Sequence, residues 1–269
     1  MKKNIAVIGC GQWGKNLVRN FSELGALSSI CDPNTEIVNK YTNQFKVKNF
    51  LFSEIINDPN VKGVALTVPA ELHASMAIEA MNKGKHVFVE KPLAMNISEA
   101  ELMISTAKKN GVKLMVGHLL KYHPIFNTIQ RIIEAGDIGE LNNIYSNRLS
   151  FGRVRTNEDV IWSFAPHDIS MILSLAKQDP EFVTTKSSSN LQKNLADIST
   201  IHLEFKSGLK SYISVSWLNP YKEVKLVISG KSAMLVFDDT KPWNEKLALY
   251  PYELLRSKDL LNLKKSDTQ

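Results

Sequence analysis

The segment HVFVEKP (86–92) ends an apolar run on an acid, a base and a proline. Its first four residues have the length and composition of a buried strand. A lysine at the end of such a strand, in a partly dry environment, can donate to a substrate hydroxyl or exchange a proton with it. Lys91 is therefore a candidate catalytic residue, and Pro92 would fix the turn that aims it. A solvated Glu90–Lys91 pair that closes the strand is the alternative interpretation.

The segment NIAVIGCGQWGKNL (4–17) contains the spacing G-x-G-x-x-G. The motif directly follows an apolar strand and opens a helical stretch. In that context the glycines permit a tight turn and let a pyrophosphate approach the backbone at the positive end of the helix. We expect five residues of this loop to bind the cofactor: Gly9, Gly11, Gln12, Trp13 and Gly14.

An acid follows the second predicted strand, at the position that selects between the two nicotinamide cofactors. Asp32 lies 18 residues after Gly14 and can accept hydrogen bonds from the adenosine ribose hydroxyls. A carboxylate there would repel a 2′-phosphate, and the next two residues, Pro33 and Asn34, supply no arginine. The sequence therefore favours NAD over NADP.

The chain changes its hydrophobic pattern near residue 120. From residue 4 to about 120, continuous apolar strands alternate with helical stretches, which predicts a parallel sheet covered on both faces. From 121 to 269, helices near 124–135 and 166–176 accompany strands at hairpin spacing with period-two alternation. We therefore predict an α/β fold with two domains: a Rossmann NAD-binding domain over 1–120, and an α+β domain over 121–269 on an open, mostly antiparallel sheet.

Composition sets limits on the class of protein. The net charge of +6 comes from scattered lysines, which fits a solvated surface or an anionic ligand such as a nucleotide. We expect no nucleic-acid partner, no membrane segment and no metal site, because each would need a motif that we do not find. The N-terminus lacks the features of a signal peptide, so a cytoplasmic protein with reduced thiols at Cys10 and Cys31 is expected.

The nucleotide loop and GKHVFVEKP (84–92) together resemble the Gfo/Idh/MocA oxidoreductase family. The resemblance runs over nearly the whole chain. It implies that Lys91 contacts both nicotinamide and substrate. It also implies that five further residues line the NAD site: Thr67, Val68, Pro69, His73 and Glu90.

The resemblance extends to the segment WSFAPHDIS (162–170), where His167 matches the histidine of the family's second catalytic element. The family has an aspartate four residues earlier, whereas this chain has Ser163. His167 remains a candidate general base, because an unperturbed imidazole titrates near physiological pH. Asp168 is a candidate on the substrate side. Either another group supports the base, or Lys91 carries more of the proton transfer.

Further substrate-binding candidates come from two segments. The segment GHLLKYHPIF (117–126) matches the family segment that enters the second domain, with Tyr122 and His123 on the substrate side. Arginines in SNRLSFGRVRTNEDVIW (146–162) could bind a phosphate or carboxylate through two hydrogen bonds each, or they could be solvated charges on an edge strand. These arginines are Arg148, Arg153 and Arg155.

The resemblance implies an NAD-dependent dehydrogenase acting on a sugar hydroxyl. It extends to the branch that oxidises nucleotide sugars such as UDP-N-acetylglucosamine at C3, a step that serves polysaccharide biosynthesis. A homodimer or homotetramer is also implied, with pairing through the exposed face of the second sheet. Three alternatives remain open at this point: a keto-sugar or imine reductase, a non-catalytic NAD(P)-binding sensor and a nucleic-acid binder. The C-terminus is short for the family, and its last residues are expected to fray.

Overall fold

The computed structural model describes residues 2–152, 154–156, 158–256 and 261–265. It divides the chain into two compact units, the first ending at Gly117 and the second beginning at His118. Each unit has its own sheet and its own hydrophobic core. Within the described residues, no helix is long and apolar enough to cross a membrane.

The described part of the first unit forms a parallel six-stranded sheet in the order β3-β2-β1-β4-β5-β6. This is the predicted Rossmann arrangement, with the change of direction between β1 and β4 at the centre of the sheet. Its strands are β1 (Ile5–Ile8), β2 (Leu27–Cys31), β3 (Lys48–Asn49), β4 (Gly63–Leu66), β5 (His86–Val89) and β6 (Leu114–Val116).

Where the structure describes the first unit, five α-helices accompany this sheet, and alternate strand residues face opposite layers. Ala6 and Ile8 of β1 enter one apolar cluster, whereas Val7 between them enters the other. Burial on both faces is why the strands have continuous apolar runs. The helices are α1 (Gly14–Glu23), α2 (Thr35–Phe45), α3 (Phe52–Asn57), α4 (His73–Asn82) and α5 (Ile97–Lys109).

The described strands of the second unit form an eight-stranded sheet in the order β14-β13-β12-β11-β7-β10-β9-β8. Among them the β7–β10 pair is parallel and the other pairs are antiparallel, so the predicted mostly antiparallel sheet is confirmed. The strands are β7 (Leu141–Phe151), β8 (Phe182–Ser188), β9 (Ile198–Glu204), β10 (Lys210–Ser216), β11 (Leu218–Gly230), β12 (Ala233–Asp238), β13 (Leu247–Arg256) and β14 (Leu261–Lys265).

The described residues of the second unit include two α-helices, α6 (Pro124–Ala135) and α7 (Val160–Ala176). The start of α7 corrects the prediction that this helix begins at Pro166. Asp159 caps the helix by accepting a hydrogen bond from the Trp162 amide at 3.0 Å, so the helix begins six residues earlier. Pro166 therefore lies inside α7, where it removes the helical hydrogen bond to the Trp162 carbonyl.

Candidate active site

The glycine loop lies between β1 and α1 at the carboxyl end of the parallel sheet. Gly9 has a φ of +84°, a conformation that side chains with a Cβ rarely adopt. A Cβ on Gly14 would collide with the Gly9 carbonyl and with the Thr67 hydroxyl. A Cβ on Gly11 would meet no atom within 4 Å. The loop is therefore closed behind the glycines and open in front of Gly11, as a bound pyrophosphate requires.

Thr67 directly follows β4, and its side chain contacts the backbone of the glycine loop. Its hydroxyl contacts the Gly9 carbonyl and lies 3.2 Å from the Ile8 carbonyl. The hydroxyl has one proton to donate, and both neighbours are acceptors of the loop backbone. Thr67 thus holds the phosphate loop in shape, while direct contact between its side chain and the cofactor stays a prediction.

Asp32 follows β2 and contacts the same loop. Its Oδ2 accepts a hydrogen bond from the Cys10 amide at 2.6 Å, and its Oδ1 accepts one from the Asn34 amide at 2.8 Å. A carboxylate has about four lone-pair positions, so acceptor capacity remains for two ribose hydroxyls. Together with the opening in front of Gly11, this geometry fits an adenine dinucleotide without a 2′-phosphate.

Glu90 and Lys91 follow β5 at the same edge of the sheet, and the Lys91–Pro92 peptide bond is cis. Glu90 Oε1 accepts a hydrogen bond from the Trp13 indole at 2.6 Å. Burial raises the pKa of the Glu90 carboxyl, while the bond from Trp13 and the proximity of Lys91 oppose that increase. Glu90 is therefore fixed at the carboxyl end of β5, directly before Lys91, where ligands bind in this class of sheet.

His73, at the start of α4, connects the segments that follow β4 and β5. Its Nδ1 lies 2.7 Å from the Pro92 carbonyl, and its Nε2 lies 3.0 Å from the Val68 carbonyl. The ring is buried. His73 therefore holds together two segments predicted to line the NAD site, and its own contact with the cofactor stays a prediction.

The remaining cofactor candidates lie on the loops around the same edge. Gln12 is exposed in the glycine loop. Val68 packs against the apolar cluster beside the sheet, and Pro69 precedes a short 3-10 helix (Ala70–Leu72). The first unit thus brings most of the predicted cofactor residues to the carboxyl ends of β1, β2, β4 and β5.

In the second unit, α7 carries Ser163, His167 and Asp168. Ser163 is buried, and His167 is partly exposed one helical turn later. Asp168 is 1% exposed. Its Oδ2 accepts a hydrogen bond from Arg148 Nε at 2.7 Å, and its Oδ1 accepts from Arg148 Nη2 at 3.1 Å.

Ser146 adds a third hydrogen bond to this carboxylate, at 2.7 Å to Oδ1. Ser146 and Arg148 lie on β7, so the network ties the helix of His167 to the centre of the sheet. Arg148 and Asp168 were predicted on the substrate side, and direct substrate contact by either stays a prediction. Their described side-chain hydrogen bonds are with each other and with Ser146, which indicates a role in holding α7.

The other arginines of the β7–α7 segment differ from Arg148. Arg155 Nε lies 3.3 Å from Glu158 Oε1, and the Arg155 carbonyl accepts a hydrogen bond from the Gln192 side chain at 2.7 Å. The Arg155 side chain is about half exposed, at 52%. Arg153 lies outside the described residues.

His123 caps α6, because its Nδ1 accepts a hydrogen bond from the Ile125 amide at 3.2 Å. Its ring packs against Phe237 and Trp243. Burial lowers the pKa of His123, which favours the neutral ring that this cap requires. Its neighbour Tyr122 is 62% exposed. The substrate-side roles predicted for both residues stay predictions.

Two features of the site were not predicted from the sequence. Gly117 ends the first unit after β6, and a Cβ there would lie 2.8 Å from Glu90 Oε2. A glycine directly after the apolar run LMV was the available indication, since strand ends in such sheets approach ligands and side chains closely. Ser146 gave no such indication. No group of three or more potential metal ligands is found within the described residues.

Two family models match the chain. The model described as the oxidoreductase family, NAD-binding Rossmann fold, matches residues 3–118, and the GFO/IDH/MocA C-terminal domain model matches residues 126–236. Inositol 2-dehydrogenase of Salmonella typhimurium (strain LT2) is 25% identical, over 80% of this chain and 67% of its own length.

UDP-N-acetylglucosamine 3-dehydrogenase of Acidithiobacillus ferrooxidans is 25% identical, over 78% of this chain and 66% of its own length. Its solved structure, GnnA, covers 99% of this chain and 83% of that chain with a TM-score of 0.83 at 22% identity. The WlbA dehydrogenase from Bordetella pertussis, solved with NADH and UDP-GlcNAcA, covers 88% of this chain and 74% of that chain with a TM-score of 0.81 at 22% identity. At such identity the two structures show the shared fold.

The two domain models lie on the two compact units, the first of which has the glycine loop and acid of an NAD site. The chain therefore belongs to the GFO/IDH/MocA family and is an NAD-dependent dehydrogenase.

Proposed function

We propose that this dehydrogenase oxidises a ring hydroxyl of a sugar, specifically of a nucleotide sugar such as UDP-N-acetylglucosamine at C3. The observation that carries the proposal is the position of Lys91, which follows β5 at the carboxyl edge of the NAD-binding sheet beside the held Glu90. The relatives named above for UDP-N-acetylglucosamine and inositol support a sugar hydroxyl as the reacting group.

Bound NAD supplies the acceptor for the hydride that leaves the carbinol carbon. The residues of this chain supply the binding and the proton chemistry. Gly11 leaves room for the pyrophosphate, and the Asp32 carboxylate offers acceptors to the ribose. The Lys91 ammonium stabilises the negative charge that develops on the substrate oxygen.

In the proposed reaction the His167 imidazole accepts the hydroxyl proton. Ser163 replaces the aspartate of the family pattern, and the neighbouring carboxylate of Asp168 is engaged by Arg148 and Ser146. His167 is therefore positioned through α7 itself, which the buried hydrogen bonds of Asp168 hold in place. The expected assembly into a homodimer or homotetramer, and the expected cytoplasmic location, belong to the same proposal.

The test is NAD reduction, followed by the absorbance of reduced nicotinamide, with UDP-sugars, free inositols and free sugars and a trap for the ketone. Turnover with a UDP-N-acetylhexosamine supports the proposal. Turnover with a free polyol alone would show that the substrate is not a nucleotide sugar, although the protein would still be a dehydrogenase.

A Lys91→Ala variant serves as the mechanistic control. We expect it to lose turnover while its NADH affinity stays within about threefold of wild type, because Lys91 acts on the reacting oxygen. Oxidation of NADH by a keto-sugar or an imine, with no reaction in the oxidative direction, would favour the reductase alternative. NADH binding without turnover of any substrate in either direction would favour a sensor.

A further inference from the structure

The Trp13 indole and the Glu90 carboxylate connect two loops of the NAD-binding unit that are 77 residues apart in sequence. The Nε1–Oε1 distance of 2.6 Å is short for a bond from nitrogen, as expected when the acceptor is charged. Trp13 is 46% exposed, so packing alone does not account for its position. The bond gives the indole one defined partner, at the residue before Lys91.

The Glu90 carboxylate is held from a second side by the absence of a side chain at Gly117. A Cβ at that position would lie 2.8 Å from Oε2, 3.0 Å from Cδ and 3.0 Å from Oε1. The Gly117 amide donates to the Val89 carbonyl at 2.8 Å, which fixes the distance between the two segments. The carboxylate thus fits into a space bounded by Gly117 and Trp13.

Glu90 passes this constraint on to Lys91. The second carboxylate oxygen, Oε2, lies 3.4 Å from the Lys91 amide nitrogen, and the attraction between Lys91 and the carboxylate favours the ionised form. On the other side, the His73 ring contacts the Pro92 carbonyl at 2.7 Å. The backbone around Lys91 is therefore held at the residue before it and at the residue after it.

We propose that Trp13 is a positioning residue for Lys91 and acts through the Glu90 carboxylate. The glycine loop and the proposed catalytic lysine are then connected through Glu90, so that a change at the Trp13 indole changes the position of the Lys91 ammonium group. The inference rests on the role proposed for Lys91 above.

The first experiment reads the environment of Lys91 without any substrate. Lysines are reductively dimethylated with ¹³C-formaldehyde and a borane reductant, and a Lys91→Arg variant identifies the Lys91 signal in the NMR spectrum. Trp13→Phe keeps an aromatic ring and removes the indole N–H. We expect it to shift the Lys91 signal, both in the free protein and with NADH bound.

Trp243→Phe is the matched control, because Trp243 is also exposed and begins a short 3-10 helix (Trp243–Glu245) of the second unit. We expect the Lys91 signal of this variant to match wild type. Circular dichroism verifies that both variants are folded. An unchanged Lys91 signal in folded Trp13→Phe would overturn the inference whatever the substrate of the enzyme is.

The second experiment is a double-mutant cycle on turnover with Trp13→Phe, Glu90→Gln and the double variant. We expect Trp13→Phe to lower kcat about tenfold, equivalent to about 1.4 kcal/mol. The double variant should be no slower than the slower single variant, because both changes break one connection. Additive losses would show that Trp13 acts independently of Glu90 and would refute the inference.

The two proposals fail in different ways. If Lys91→Ala retains turnover while Trp13→Phe still shifts the Lys91 signal, the positioning contact exists and the catalytic role of Lys91 is wrong. If Lys91→Ala loses turnover and Trp13→Phe leaves the signal and kcat unchanged, the catalytic role stands and the positioning inference is wrong.

Discussion

Arg148 and Asp168 form a two-point ion pair between the central strand β7 and the helix α7, and both side chains are largely buried, with 13% and 2% exposed. Ser146 completes the hydrogen bonding of the carboxylate. A buried pair of this kind adds little over an apolar pair, but removing one partner leaves an uncompensated buried charge. Because His167 directly precedes Asp168 on α7, the pair also sets the position of the proposed base.

Asp168→Asn should therefore destabilise the second unit strongly. We expect the free energy of unfolding to fall by about 3 kcal/mol, because the Arg148 guanidinium stays buried without its counter-charge. Urea unfolding followed by circular dichroism and by the fluorescence of the buried Trp217 measures the change.

Glu134→Gln is the control for Asp168→Asn, because Glu134 pairs with Lys177 at 2.8 Å but both side chains are more than half exposed. Its loss should be below about 1 kcal/mol. Equal losses in the two variants would contradict the buried-pair interpretation.

Local motifs explain why much of the first unit was predictable. The glycine loop, Asp32 and the segment around Lys91 each lie at the end of an apolar run, and parallel strands bring such ends to one edge. The bonds Trp13–Glu90 and Arg148–Asp168 were not predicted, because they join residues far apart in sequence whose types fit many other partners. No periodicity encodes such a pairing.

The predicted start of α7 was wrong because two local preferences compete there. A proline favours the first turn of a helix, which predicts a start at Pro166, but the Asp159 cap begins α7 earlier and the helix accommodates the proline. The short α3 and β3 are too brief to give a clear period in the sequence. The side chains of strand β8 are exposed on both faces, so its sequence gives no apolar alternation that would predict a strand.

Gly11→Ala and Gly14→Ala should separate cofactor binding from folding. A methyl group on Gly11 meets no protein atom but occupies the approach to the loop, so NADH affinity should fall about tenfold or more while stability stays within about 1 kcal/mol. A methyl group on Gly14 collides with the Gly9 carbonyl, so affinity and melting temperature should both fall. Calorimetric titration with NADH measures the affinity of each variant, and thermal melts measure its melting temperature. Normal NADH binding by Gly11→Ala would exclude the proposed pyrophosphate position.

Asp32→Asn should weaken the preference for NADH over NADPH. The amide keeps the shape of the side chain but removes the charge that repels a 2′-phosphate, so the ratio of the two dissociation constants should fall about tenfold. Asp58→Asn is the control, because Asp58 accepts from the amide two residues later at 2.8 Å, as Asp32 does. If the ratio of the two dissociation constants shifts equally in both variants, or in neither, Asp32 does not select the cofactor.

His167→Gln should lower kcat by about 10²–10⁴, the range for loss of a general base, with NADH affinity unchanged. His202→Gln is the matched control, because His202 lies on β9 and its ring packs against Tyr212. Steady-state rates with the substrate identified from the panel give the comparison. A His167→Gln variant with normal kcat would show that another group accepts the proton.

Cys10 should be the less reactive of two protected thiols. Burial, followed by the nearby Asp32 charge, raises the pKa of Cys10 to about 12, and burial also raises the pKa of Cys31. At pH 8 the thiolate fraction of Cys10 is then about a thousandth of that of a free thiol, so alkylation in the folded protein should be slower by at least about a hundredfold. Mass spectrometry of peptides labelled with iodoacetamide, with and without urea, measures both sites.

The raised pKa of Cys10 also has a consequence for stability. Between about pH 9 and 12 the unfolded chain releases the Cys10 proton and the folded chain keeps it, so the free energy of unfolding falls as pH rises. Cys10→Ala should make this fall shallower, and a slope identical to wild type would show that the folded thiol ionises like a free one.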